Sequence, residues 1–433
     1  MSQLAKTANL RSASRQENIA GSSSRVFRAP SSTARPSPLR VPTLNIALLT
    51  GGGDKPYALG LAAALAGQDI SIDFIGSDFL DVPELRNSPQ VRFLNLRGDQ
   101  RPDADRITKA LRVIKYYVRL VCYAARSKAK IFHLLWNNKF ELFDRTLLML
   151  YYKLTGRRLV LTVHNVNAQK RDARDSFLNR LSLRVQYGLS DHILVHTEQM
   201  KKELLSDFFI HENKVSTIRF GINNTVPNTE LTSSEAKERL NLSKSDKTVL
   251  FFGNIAPYKG LEYLVDAFRT LTAKDERYRL VIAGCPKGPK DYWDQIHHAI
   301  ARDAIRNWTI EKIEYVPDED TELYFKAADV LVLPYTRIFQ SGVLFLGYSF
   351  GLPVVAANVG SLNEEIIEGQ TGFIFKSQDS SDLARVIDRY FESDLFRSLE
   401  SRRLDIKAYA NEHYSWDKSA SIIAAVYSKL LTS

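Results

Sequence analysis

The feature that most constrains this chain is a rhythm that stops and restarts. From Leu44 onward, short apolar runs end in a turn and give way to amphipathic stretches. LNIALLT leads into GGG and the helical YALGLAAALAG. SIDFIG, VRFLNL, KIFHLLW, RLVLTVH, HILVHT and KVSTIRFG follow, with a long helix predicted near 105–127. Val-, Ile- and Leu-rich runs alternating with helices predict parallel strands covered on both faces. The segment INNTVPNTELTSSEAKERLNLSKSDK, 222–247, is polar and breaks the pattern, and TSSEAKERL inside it carries a helix-start signature. The rhythm then resumes with KTVLFFG, YRLVIAG, WTIEKIEYVP, DVLVLPY and PVVAA. A chain of 433 residues exceeds one compact core. The prediction is therefore an α/β protein with two doubly wound parallel-sheet domains facing a central cleft, where a ligand is expected beyond the carboxyl ends of the strands. Boundaries are set at 41–235 and 236–412. The helical spacing of WDKSASIIAAVYSKLL makes 413–433 a helix that packs on the N-terminal domain.

Residues 1–40 differ from the rest. They are rich in Ser, Arg and Pro and carry seven Lys/Arg against one Glu, over half of the chain's net charge of +10. This composition reads as a disordered basic arm. It lacks the apolar stretch of a secretory signal, while a transit peptide would share its Arg- and Ser-rich character. The positive balance points to an anionic partner. No RNA- or DNA-binding motif is present, so nucleic acid is set aside. The two cysteines, Cys122 and Cys285, exclude a disulfide framework and favour a reducing compartment.

The chemistry is expected at the strand ends. Gly51-Gly52-Gly53 follows LNIALLT, and glycines at a strand-to-helix turn let the backbone approach a phosphate or sugar. The dinucleotide fingerprint G-x-G-x-x-G is absent, and a tight turn without ligand is the alternative reading. Asn254 to Gly260 follows KTVLFFG. Lys259 stands just before a helix start, where the helix dipole opposes a cation unless an anion reconciles the two. His164 closes the strand RLVLTVH at the edge of the expected cleft, whereas His133 and His196 fall within strand-like runs and read as structural. Asp318-Glu319-Asp320 reads as an N-cap and acidic first turn in preference to a metal motif.

Between Arg337 and Glu364, 26 positions carry no charge. Gly347, Gly351, Pro353, Asn358 and Gly360 punctuate them, which excludes a membrane span. The stretch predicts a buried helix at 342–350, a strand at 353–357, a turn, and a further helix near Asn363. Ser341, Gly342 and Val343 form the first helix's N-terminus. Its free N–H groups need partners, and an anion or a Ser341 cap would supply them. Arg337 and Gln340 lie beside it.

These residues together resemble family 4 glycosyltransferases of the GT-B fold. The carriers are the early GGG, the VH at a strand end, FGxxxxxKG, VIAG, Y-x3-AD-x4-P, the SGV helix running into FGxPVVA-x2-VG-x3-E, and TGF. The resemblance covers about 44–433 and is most specific in the C-terminal half. It implies two Rossmann-like domains and a hexosyltransferase that uses a UDP- or GDP-linked sugar, with retention of configuration and no metal or other cofactor. It also implies roles. Lys259 contacts the donor diphosphate, Ser341, Gly342 and Val343 face the phosphates, and Glu364 binds the ribose. His164 lies close to the transferred sugar, with Gly52 and Gly53 near the phosphates. Two departures stand out. Asn254 replaces a common Arg, with Arg337 the candidate to restore the charge. Ile338 and Leu346 replace two Glu eight residues apart, leaving Gln340 and Ser341 as the nearby polar groups. Those missing carboxylates keep a non-catalytic sugar-nucleotide binder as an alternative, along with another GT-B-like enzyme such as a phosphorylase or epimerase. The acceptor is expected to be a saccharide or a lipid-linked molecule. Region 105–130 carries eight Lys/Arg against Asp105, interleaved with apolar residues. It reads as a solvated basic helix or as a face resting on anionic lipid. Localisation is expected to be cytoplasmic, with peripheral attachment at the inner membrane face under the second reading.

Overall fold

The computed structural model describes residues 44–432 except 102, 172–174, 223–225 and 303–304. The basic arm expected at 1–40 lies outside the described residues.

Seven strands make the first sheet: β1 (Leu44–Leu49), β2 (Ile70–Gly76), β3 (Val91–Asn95), β4 (Ile131–Leu134), β5 (Arg158–Val163), β6 (His192–Val195) and β7 (Val215–Thr217). All pair in parallel, in the order β3-β2-β1-β4-β5-β6-β7, with Ile46 opposite both Ile72 and Ile131. The helices that matter for function in this half are α1 (Lys55–Ala66), α2 (Arg106–Arg126), α3 (Met149–Leu154) and α4 (Phe177–Leu189). Separate apolar clusters form on the two faces, one around α1 and one around α2 to α4. This explains why the strands read as continuous apolar runs.

The second sheet has six parallel strands: β8 (Lys247–Phe252), β9 (Tyr278–Ala283), β10 (Thr309–Lys312), β11 (Val330–Leu333), β12 (Val354–Ala357) and β13 (Gly372–Phe375). Their order is β10-β9-β8-β11-β12-β13. Around them lie α5 (Leu261–Lys274), α6 (Asp318–Ala327) and α7 (Gly342–Ser349). The chain thus builds a GT-B architecture of two Rossmann-like sheets. The uncharged stretch is α7 and β12, and Leu344 to Tyr348 of α7 are buried, as an all-round apolar helix must be.

The polar segment between the sheets holds a short helix, Ser233–Arg239, closed by a full capping box. Thr232 Oγ1 accepts from the Glu235 N–H at 3.2 Å, and Glu235 Oε2 accepts from the Thr232 N–H at 2.8 Å. The final helix, α8 (Trp416–Thr432), leaves the second sheet and packs on α1. Ala420, Ile423, Val426 and Tyr427 of α8 enter the α1-side core. Tyr427 Oη lies 2.6 Å from His133 Nδ1, and Trp416 Nε1 donates to the Ile222 carbonyl at 3.2 Å.

The acidic triplet needs one correction. Asp318 is not the cap of α6 but its first residue. Pro317, extended at φ −60 and ψ 155, occupies the cap position and makes no side-chain cap bond.

Candidate functional site

In each sheet the strand order reverses between two central strands, β1 and β4 in the first, β8 and β11 in the second. Crevices open at such points because the helices following the two strands diverge to opposite faces. The turn after β1 is Gly51 to Gly53. A Cβ on Gly52, whose φ is +82, would lie 2.2 Å from Arg97 Nη1, and one on Gly53 would lie 1.9 Å from the Trp136 ring. Side chains are absent from this turn because Arg97 and Trp136 press directly onto its backbone. Asp54 then caps α1, accepting from the Tyr57 N–H at 2.9 Å.

Beside the glycine turn, His164 follows β5. Its ring stacks on Trp136 with centroids 4.2 Å apart and planes within 1°, and it meets Tyr57 edge-on at 4.7 Å. His164 Nδ1 is 3.3 Å from His196 Nε2, and His164 Nε2 is buried without a hydrogen-bond partner. Burial, with the neighbouring His196 adding to it, holds the His164 imidazole well below its usual range. Both rings are therefore neutral at physiological pH, since burial lowers His196 to about 4.

In the second half, Lys259 ends a short 3-10 turn after β8 and is buried. Its Nζ donates to Tyr335 Oη at 2.8 Å and sits 3.9 Å from the centre of that ring. Tyr335 Oη in turn lies 3.1 Å from Ser341 Oγ. Ser341 precedes α7 but does not cap it; its hydroxyl serves Tyr335. The next residue, Gly342, is open to the cleft. Gln340 Oε1 is buried and unpartnered immediately before this helix start. Lys259, Tyr335, Ser341 and the α7 N-terminus thus form one constellation.

Between the two halves lies a cleft cavity of about 650 Å³, and His164, Lys259, Tyr335, Gln340 and Ser341 stand behind its lining residues rather than among them. Gly52, Gly53, Gly342, Val343 and Leu346 line it, as do Phe220 and Trp416 at its inner end. Four charged side chains join them: Asp54 and Lys55 from the first half, Lys287 and Asp318 from the second. Crowding by protein raises the Asp54 carboxyl above its usual range, the Tyr57 N–H bond opposes this, and the charge of Asp318 adds to it. Asp318 is likewise raised by burial, with Lys55 acting against it.

Other expected residues stand elsewhere. Asn254 is half-buried in the turn after β8. Arg337 is exposed and donates to the Lys170 carbonyl of the first half at 3.3 Å, outside the cavity wall. Glu364 is exposed and does not line the cavity; its neighbour Glu365 turns inward towards Tyr414. Ile338 packs against the second core, while Leu346 takes a place in the cavity wall. His196, Tyr57, Trp136, Arg97 and Asp318 escaped the sequence reading as site residues. For Trp136 a signal existed: it ends the run KIFHLLW, so it sits at a carboxyl strand end as His164 does.

Two family models match the chain. That of Glycosyl transferases group 1 matches residues 232–413, and that of Glycosyltransferase Family 4 matches residues 51–225. Among curated relatives, the D-inositol 3-phosphate glycosyltransferase of Corynebacterium aurimucosum is 24% identical over 277 residues, covering 62% of this chain and 64% of that protein. The enzyme of the same name from Streptomyces avermitilis is 28% identical over 244 residues, covering 55% and 52%. The chain spans under two thirds of the length of these relatives. Among solved structures, sucrose-phosphate synthase from Thermosynechococcus elongatus superposes with a TM-score of 0.70 at 19% identity, over 90% of this chain and 99% of that one. Anabaena HepE in complex with UDP-glucose does so with a TM-score of 0.67 at 17% identity, over 89% and 100%. With both halves matched by these family models and the two-sheet architecture shared, the chain belongs to the family 4 glycosyltransferases of the GT-B fold.

Proposed function

We propose that this protein moves a hexosyl group from a nucleoside-diphosphate sugar in the cleft to a hydroxyl of a saccharide or lipid-linked acceptor. The observation that carries this reading is the buried Lys259–Tyr335–Ser341 chain beneath the start of α7; the unpartnered Gln340 Oε1 beside it is read as an acceptor for a sugar hydroxyl. A buried cation at a helix N-terminus suits a dianionic group. HepE, which shares the fold, was solved with UDP-glucose, which supports a UDP-linked donor over a GDP-linked one.

In the proposed step the acceptor oxygen bonds to the anomeric carbon. The bond from that carbon to the diphosphate oxygen breaks with its electron pair, and the hydroxyl proton passes to the departing phosphate. Negative charge grows on the diphosphate, where Lys259 and the α7 dipole are already fixed in place. This assigns leaving-group stabilisation to the chain itself and not to a metal, and it is compatible with retention of configuration. His164 Nε2, neutral and unpartnered, is read as an acceptor for a sugar hydroxyl. Gly52 and Gly53 are read as admitting the phosphates closely, and Glu364, which does not line the cavity, is read as the ribose ligand. The basic surface at 105–130 is read as facing anionic lipid.

A thermal-shift panel of nucleotide sugars, followed by transfer assays with the hit, tests the proposal. Lys259→Met should retain its fold and lose turnover by about 100-fold or more, the typical effect of losing one such donor, ~3 kcal/mol. Turnover near wild type would sink the assignment. One observation favours a second reading: Leu346 lines the cavity at a position where the family resemblance implies Glu. A clear shift with a nucleotide sugar but neither transfer nor donor hydrolysis would establish a non-catalytic binder instead.

A further inference from the structure

The first half presents an apolar outer surface that its own fold leaves uncovered. Eighteen large apolar side chains are exposed among the described residues, and twelve of them fall between Ile107 and Leu181. On α2 they are Ile107, Leu111, Ile114 and Val118, a stripe at i, i+4, i+7 and i+11. At 100° per residue this stripe faces away from the buried Tyr116, Tyr117, Leu120 and Ala124. Leu111 and Leu154 are 61% and 78% exposed, well beyond the edge of a core.

The neighbouring elements continue the surface. Tyr117 of α2 packs on Phe140 and Phe143, and Arg145 of the following turn donates to Asn179 of α4 at 2.9 Å. Outward from these contacts stand Leu147, Leu150 and Leu154, then Phe177, Leu178 and Leu181. Between the last two segments runs a groove of about 410 Å³ whose named walls include Leu142, Leu147, Leu178 and Leu181. The three helices pack on one side of the first sheet, and the outward-facing side of each carries exposed apolar side chains.

Its charge is one-sided. Within α2 there are six Lys/Arg and no acidic residue. Lys109 and Arg112, with Arg97, Arg101 and Lys139, line a pocket of about 230 Å³ in which Asp99 is the one carboxylate among the described residues. Asp99 is engaged by Arg101 at 2.8 Å and by Arg112 at 3.0 Å. Arg97 lies over the Tyr116 ring, and its Nη1 is buried without a partner. This pocket shares Arg97, Asp99, Gln100 and Arg101 with a larger one of about 570 Å³, which in turn shares Gly52, Gly53 and Phe79 with the cleft. The cationic pocket, which α2 lines with Lys109 and Arg112, is thus linked through shared lining residues to the glycine turn.

We propose that the three-helix face seats the protein on an anionic phospholipid leaflet, and that the pocket around Arg97 and Arg112 takes the phosphate of a lipid-linked acceptor. The acceptor part rests on the transferase reading above; the membrane seat does not. Apolar side chains flanked by an excess of cations match the two layers of an anionic leaflet, acyl chains within and phosphates at the rim. Among the described residues no helix is long and apolar enough to cross a membrane, so the seat is interfacial.

The test is flotation of the full chain with vesicles of phosphatidylcholine alone or mixed with phosphatidylglycerol. The wild type should float with the anionic vesicles, and part should remain bound in high salt because apolar contact is not screened. Leu111→Asp/Ile114→Asp should lose about tenfold in bound fraction with unchanged melting temperature and an unchanged nucleotide-sugar shift. Arg97→Gln/Arg112→Gln should still float. Soluble glycerol 1-phosphate should raise the melting temperature of the wild type and not of this arginine variant, and glycerol should affect neither. Failure of the wild type to float, or equal flotation of the Asp variant, overturns the membrane seat. So does a wild-type dimer in light scattering that the Asp variant converts to monomer, which would make the face an interface between copies. A glycerol phosphate response without flotation would assign the pocket to a soluble phosphate and overturn the lipid source. A persistent nucleotide-sugar shift in the wild type and the Asp variant keeps these failures distinct from failure of the transferase reading.

Discussion

His133 shows how a single side chain can tie the molecule together. It lies wholly inside the first half, between Tyr427 Oη at 2.6 Å and Thr162 Oγ1 at 2.7 Å. Burial lowers its pKa to about 3, and that of His196 to about 4. Unfolded imidazoles titrate near 6.5. Between that value and about 4 the unfolded chain takes up protons that the folded rings refuse, so stability is complete above pH 6.5 and is lost as the pH falls. The melting temperature of the wild type should therefore drop across this window, and His133→Asn should show a shallower slope. Equal slopes would remove His133 as a source of acid lability. The structural reading of His133 follows from its place inside an apolar run. That reading misses the contact of His196 with His164, because the pair is 32 positions apart and strand spacing says nothing about which side chains meet across a sheet. The contact of Arg337 with the Lys170 carbonyl escapes for the same kind of reason: its neighbours are set by the approach of the other half.

At the level of single elements the sequence was most informative, because apolar periodicity and turn chemistry are local. The strands, α7 and the capping box of Ser233–Arg239 all follow from stretches of fewer than about 15 residues, the range over which such signals act. The turn holding Lys259 is a case where local chemistry and long-range packing coincide. Gly260 has φ +64, and a Cβ there would lie 2.0 Å from the Pro334 carbonyl oxygen at the end of β11. Gly260→Ala must bear both left-handed strain and a clash with backbone that cannot rotate away. We expect a loss of more than ~2 kcal/mol in the second half. Gly369→Ala, at φ +73 with nothing within 4 Å, isolates the strain alone and should cost about 1 kcal/mol. Urea titrations of the two variants check this; similar losses would show that the Pro334 contact is dispensable. The departures Leu346 and Ile338 were also visible in the sequence. Their different fates, Leu346 buried in the second core and lining the cavity and Ile338 only packed against that core, were not, since both lie in the same uncharged run.

Over the whole molecule, two crossings join the halves, and they are bonded to each other. The Ile222 N–H donates to the Tyr414 carbonyl at 2.9 Å, and Trp416 Nε1 donates back to the Ile222 carbonyl. Beyond them α8 supplies Ile423, Val426 and Tyr427 to the first half's core. Burying three such side chains contributes roughly 1.5–3 kcal/mol each. Removal of 416–433 should therefore cost more than ~5 kcal/mol, comparable to the total stability of many domains. The expected outcome is an insoluble or protease-sensitive first half with the second half still folded, read by limited proteolysis; a truncated chain that melts like the full one would contradict it. The swap of α8 also dictates an order of events during synthesis. The second half has nearly all of its core in hand once β13 and the helices after it have emerged, whereas the first half, although translated earlier, waits for a helix made long afterwards. The part of the chain born first is thus the part that matures last, and its unsealed α1 surface is where a nascent-chain chaperone would be needed.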